Sequence, residues 1–181
     1  MNDSTDGVRA DLAWVAVDFA CLLGSAQPDE LDAPSVGTRW TNRQLLFHML
    51  LGQHITRMVI LVMGGFSRLP PGASKGFSRV LVAFTRPYNE LNWFGGVVGG
   101  RINTVASMRR QMDRVTTSIL DWYDHADSQA LHRGMTVPPS WDPYFTPWMD
   151  RTEMLEWAPR HYRHHRRQLS LASVHQSPPP G

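Results

Sequence analysis

Between residues 101 and 127, Val105, Met108, Met112, Val115, Ile119 and Trp122 recur at spacings of 3, 4, 3, 4 and 3. This spacing winds one apolar stripe along a helix and cannot line one side of a strand. So regular a stripe has to be buried against other helices, which selects an antiparallel bundle. Residues 8–26 repeat the pattern at Val8, Leu12, Val15, Phe19 and Leu22. Residues 41–65 open on a Thr41–Gln44 capping box, with Trp40 placed as a hydrophobic staple, and stop at Gly64-Gly65. Along them Leu45, His48, Leu51, Ile55, Val59 and Val62 share one face. Residues 151–174 supply a fourth helix, in which Pro159 either bends the helix or begins a second one. The expected fold is all-α: an up-down-down-up-type four-helix bundle over residues 8–174, with a long second-to-third helix connection. Residues 1–7 and the Pro-rich stretch 175–181 read as disordered ends.

Two irregular segments interrupt the bundle. Residues 66–100 are bracketed by Pro70-Pro71-Gly72 and by the pairs Gly95-Gly96 and Gly99-Gly100, with room for one small helix at 77–84. Residues 134–149 hold four prolines and four aromatic residues, and are expected to be ordered by packing rather than by hydrogen-bond ladders. They form either a lid and pocket wall or an aromatic plug at the bundle end. The polar and aromatic candidates for a pocket wall are Asn92, Trp93, Tyr144 and Trp148.

Composition narrows the class. With 181 residues, 42% hydrophobic and 19% charged, the chain suits one soluble domain. A formal net charge of +2 makes no electrostatic case for nucleic acid. The single cysteine, Cys21, cannot form an internal disulfide, which fits a reducing compartment, and its apolar helical surroundings read as core. The start MNDSTDG lacks the layout of a secretory leader. His48, Gln53, His54 and Arg57 interrupt the apolar run at 45–66 before it reaches the length of a bilayer span. A cytoplasmic protein without a membrane partner is expected.

The chemistry concentrates in Arg160-His161-Tyr162-Arg163-His164-His165-Arg166-Arg167-Gln168. On a helix His161 and His165 lie about 40° apart, one turn above each other, with Gln168 near −20° and His164 near −60° of His161. Arg163, Arg166 and Arg167 fall roughly 140° to 240° round, on the opposite face. H-x-x-x-H on a helix is a two-donor chelate for a first-row metal. His48 points inward from the second helix and supplies a third donor. Three buried imidazoles without partners are costly, whereas one metal ion satisfies them together. Imidazole-only ligation suits zinc, nickel, iron or cobalt and does not choose between them. Gln168 is placed to orient a ligand, and His164 is the competing donor on the edge of the face. No catalytic residue is assigned.

Trp40-Thr41-Asn42-Arg43-Gln44-Leu45-Leu46-Phe47-His48 resembles the second-helix motif of the DinB-like superfamily, and residues 157–169 resemble its last helix, H-x-x-x-H followed by Arg-Gln-Leu. The helix order and the long second-to-third connection are also similar. The resemblance implies a divalent metal, zinc or nickel ahead of iron or cobalt, on His48, His161 and His165, and a possible homodimer. It also implies kinship with thiol S-transferases and isomerases that use a low-molecular-weight thiol such as mycothiol or bacillithiol. The maleylpyruvate isomerase branch carries Glu at one ligand position, where this chain has His, which argues against that activity. The expected function is a metal-dependent thiol S-transferase or hydrolase acting on a small-molecule electrophile. The alternative is a non-catalytic metal-binding bundle, and a basic-helix nucleic-acid binder ranks below both.

Overall fold

The computed structural model describes residues 3–70 and 72–175. Val8, Leu12, Val15, Phe19 and Leu22 are all buried along one side of α1 (Asp3–Ser25). The helix starts at Asp3, so residues 3–7 extend it and are not a disordered end. Cys21 lies on its exposed side, contrary to the core position expected from its apolar neighbours. After a short helix, α2 (Pro28–Asp32), comes α3 (Asn42–Phe66). Thr41 caps α3 through the expected reciprocal box with Gln44. The stripe on α6 (Val105–His125) holds as read: Met108, Met112, Val115 and Ile119 are buried. A one-turn helix, α7 (Ser128–Leu131), follows α6, and the fourth long helix is α8 (Arg151–Arg166). Both α1 and α3 pack against α6 and α8, so they occupy opposite corners of a four-helix bundle.

The second-to-third connection is more regular than its prolines and glycines suggest. It folds into α4 (Ala73–Ala83) and α5 (Thr85–Ile102). The glycine pairs do not break α5; they let it lie against α3. A Cβ on Gly96 would come 2.8 Å from Trp40 Nε1, one on Gly100 2.8 Å from Gln44 Cα, and one on Gly99 would enter the Phe47 ring. Each glycine costs a helix about 1 kcal/mol against alanine, and the close approach of two helices offsets it. Gly64 likewise does not end α3, which runs to Phe66; the guanidinium of Arg151 occupies the space a Cβ would need. Arg151 donates to the carbonyls of Ile60 and Ala130 and lies over the Trp122 ring.

One two-stranded antiparallel ribbon accompanies the helices. In it β1 (Gly134–Thr136) pairs with β2 (Trp148–Asp150), with Met135 opposite Met149. Residues 137–147 are therefore a loop closed at its base by a ladder, not a segment ordered by packing alone. By length and composition α3 is long and apolar enough to cross a membrane, contrary to the sequence expectation, and half of its apolar window is buried inside the bundle. That apolarity serves two faces. Leu46, Met49, Ile60 and Met63 enter the core, while His48, Ile55, Val59 and Val62 line a cavity on another side.

The helix α8 continues through Pro159 and ends at Arg166, short of the expected 174. A turn and a 3-10 helix (Ala172–His175) follow. The stretch read as a disordered tail lies outside the described residues from 176 on. The arginine face of α8 is opposite the imidazoles, as the helical angles require, and two of its arginines, Arg163 and Arg166, are packed against α1 while Arg167 is exposed. Arg166, 2% exposed, donates through Nε and Nη2 to both carboxylate oxygens of Asp18 at 2.8 and 3.1 Å. Tyr162 donates its hydroxyl to Asp18 Oδ2 at 2.8 Å. Arg163 pairs with Asp11 through two bonds and lies over Trp14.

Losing one partner of a buried ion pair leaves an uncompensated charge and costs about 3–5 kcal/mol, whereas an exposed pair contributes about 0–1 kcal/mol. Asp18→Ala should therefore lower the unfolding free energy by several kcal/mol in urea titrations. Asp124→Ala, which breaks the exposed pair with Arg9, should change it by less than about 1 kcal/mol. Equal effects would contradict this account of how α8 is held.

Candidate metal centre

Each histidine reaches the site for a local reason. His48 is two turns into α3, and its ring is stacked on Trp40, centroids 4.6 Å apart and planes 23° off parallel. His161 and His165 are one turn apart on α8, with ring centroids 4.6 Å apart. His161 packs on Trp157 at 4.7 Å and sits over Gly52, where a Cβ would come 2.9 Å from its Nδ1. The donor atoms of His48, His161 and His165 all lie within 4.8 Å of one another, and among the described residues no other His, Cys, Asp or Glu joins the group.

The donor set fits a divalent metal. His48 Nε2 lies 3.1 Å from His165 Nε2, close to the roughly 3.3 Å edge of a tetrahedral shell with metal–nitrogen bonds of about 2.0–2.1 Å. His165 Nδ1–H donates to Gln168 Oε1 at 2.7 Å, which leaves the lone pair on Nε2, aimed at His48. If His48 answered with an Nε2–H, its Nδ1 would be a buried acceptor without a partner. If it carried the proton on Nδ1, two lone pairs would face each other. Its Nδ1 is buried and unpartnered either way. A cation at the convergence point removes the conflict between the two Nε2 atoms.

Gln168 acts from beyond the helix, not from its next turn. Its backbone carbonyl accepts from Val36 N at 2.7 Å. Two residues on, Ser170 bonds Asn42 and the carbonyl of Pro34. The turn after α8 is thus tied to the start of α3, and this holds the Gln168 amide on His165.

Burial keeps the rings neutral. It pushes His48 from the ordinary 6.5 down to about 3, with His165 beside it adding to the shift. Burial also lowers His165 to about 4 against the opposing Gln168 hydrogen bond, and holds His161 well below its usual range. Neutral imidazole is the form that ligates a metal.

The triad lies in the wall of a cavity of about 440 Å³. Of the other candidates, His164 and Tyr144 also line it, Tyr144 Oη lying 3.3 Å from His164 Nδ1. His164 stays outside the donor group. Asn92 lines the cavity, while Trp93 is not in the wall and accepts from Trp40 Nε1 through its carbonyl. Trp148 is corrected: it sits on β2, 54% exposed, away from the cavity. Gly52, Trp157 and Asp142 went unread as site residues. A glycine in mid-helix one turn after an inward histidine was the available signal for Gly52. Trp40, read only as a staple, is also a wall of the site.

Two measurements follow from this geometry. Below pH 6.5 the unfolded chain protonates these histidines and the metal-free native state does not until about pH 4. Native stability should therefore fall as pH drops through that window, by up to about 1.4 kcal/mol per pH unit for each group. Urea unfolding of the metal-free chain at pH 7.5 and 4.5 checks it, and replacing His48 with Phe should flatten the slope. Separately, Gly52→Ala must displace His161 and Gln168→Leu frees the His165 ring. Each should weaken zinc binding by about 10–100-fold, read by competition with a chromogenic chelator, with the helical circular dichroism unchanged.

The sequence model of the DinB superfamily matches residues 11–169. No curated protein and no solved structure matches the chain. With the family model spanning most of the chain and the histidine cluster inside it, the chain belongs to the DinB superfamily.

Proposed function

We propose that this protein is a metal-dependent enzyme of the transferase or hydrolase type, acting on a small electrophile with a low-molecular-weight thiol or water as nucleophile. One observation carries the reading: the three-histidine group lies in the wall of a 440 Å³ cavity and, among the described residues, no fourth side-chain ligand seals it. A purely structural metal site is normally closed by four protein donors, whereas a reactive one keeps a position for water or substrate. Held by His48, His161 and His165, a divalent metal would supply Lewis acidity, lowering the pKa of a thiol or water so that the nucleophile is available at neutral pH.

The chain's own residues do the rest. Gln168 keeps the His165 proton on Nδ1 and its lone pair on Nε2. Trp40 and Trp157 flank the imidazoles and exclude water from two sides, which strengthens every charge interaction at the site. The Tyr144 hydroxyl and the His164 imidazole, hydrogen-bonded to each other in the cavity wall, are placed to hold or return a proton as the leaving group departs. Asp142 shares that wall, and burial pushes its carboxyl above the usual range, against the opposing effect of nearby donors and His164.

Cobalt substitution tests the reading. The cobalt-loaded protein should bind 2-mercaptoethanol with a new sulfur-to-cobalt charge-transfer band in the near ultraviolet, and the band should vanish in His165→Ala. A cobalt spectrum indifferent to millimolar thiol, azide and cyanide would mean a closed shell and would overturn the enzymatic reading.

A further inference from the structure

The walls of the cavity carry more information than its metal end. Along α3 the lining runs from His48 through Gly52, Ile55 and Val59 to Val62, fourteen residues or about 21 Å of helix. The cavity is thus a trough with the imidazoles at one end of that row. Opposite stand Phe77 and Leu81, one turn apart on α4, and Val137 and Phe145 from the loop that β1 and β2 close. Among the described residues no lysine or arginine lines it. Its one carboxylate among the described lining residues, Asp142, is itself held above its usual pKa by burial, so away from the imidazole end the wall offers no cation to an anionic ligand and disfavours another negative charge.

We propose that the cavity binds an uncharged molecule with an extended apolar tail, such as an alkyl chain or an alkyl-substituted ring. The tail lies along Ile55, Val59, Val62, Phe77 and Leu81, and a neutral head group (thiol, hydroxyl or carbonyl) faces the histidines. The head-group part rests on the metal reading; the tail part stands on the cavity walls alone. Burying a carboxylate along these walls without a cation is unfavourable, while each buried methylene of a tail gains affinity. Dicarboxylates and sugar-bearing thiols are therefore poor occupants of the trough, and a polar cosubstrate would have to approach the imidazole end without filling it.

The test is a homologous series of n-alkanols, from butanol to decanol, titrated against the full chain with and without bound zinc. Binding is followed by the emission of the tryptophans in the cavity wall, Trp40, Trp141 and Trp157. Affinity should rise by up to about fourfold per methylene in both forms, and octanoate at pH 8 should bind the zinc-free chain at least about tenfold more weakly than octanol. Leu81→Arg should abolish the dependence on chain length while zinc stoichiometry is kept; Val62→Glu serves if the first variant does not fold. Affinity flat across the series, octanoate equal to octanol in the zinc-free chain, or a folded wall variant with unchanged chain-length dependence would overturn the proposal. Failure to load zinc, with the chain-length dependence intact in the metal-free form, would instead remove the head-group part and the metal reading with it.

Discussion

The buried contact between Asp18 of α1 and Arg166 of α8 decides which way the last helix faces. Both side chains are almost wholly removed from water, and both carboxylate oxygens are used. With Tyr162 added to the same carboxylate, a rotation of α8 would strand a buried guanidinium and a buried phenol together. Such a pair contributes little net stability over an apolar substitute, but it penalises every alternative arrangement. Residues 161 and 165 lie about 60° to 140° round the helix from 162 and 166. Fixing one pair against α1 therefore presents the other to α3, and the centre depends on a contact on the far side of its own helix.

That division of α8 into two faces was readable from residues 160–168, and so were the three histidines. Helical periodicity states direction without ambiguity. It does not state what covers a face. The arginines opposite the imidazoles could be placed on a face but not given a partner, because nothing in their spacing names one; Asp11 and Asp18 are about 150 residues away. The same limit explains α3. Ile55, Val59 and Val62 form an apolar face, and apolarity alone does not distinguish a core from the wall of a cavity. Glycine was misread for a related reason. At Gly96, Gly99 and Gly100 it serves close helix approach rather than chain breaking, and only knowledge of the neighbouring helix separates the two uses. Gln168 reached its place by a route invisible to helical geometry, through a turn tied to Val36 and Asn42.

The centre is held in a state that opposes stability. Three neutral imidazoles, two buried and one half-buried, are clustered with two ring nitrogens facing each other, a cluster that a purely structural core would replace with apolar side chains. Tryptophans on two sides and a glycine beneath leave it little room to relax. Local strain of this kind concentrates at functional sites. A ligand that binds only the native form returns the stability by mass action.

We propose that His48, His161 and His165 hold one metal ion in an open shell, and X-ray absorption on the zinc-loaded, untagged protein tests this. The account predicts one zinc per chain, with a first shell fitted by three imidazole nitrogens at about 2.0–2.1 Å and one exchangeable light donor that a small thiol replaces with sulfur. A chain that takes up no stoichiometric metal after reconstitution, or a zinc shell filled by four protein donors, would contradict it.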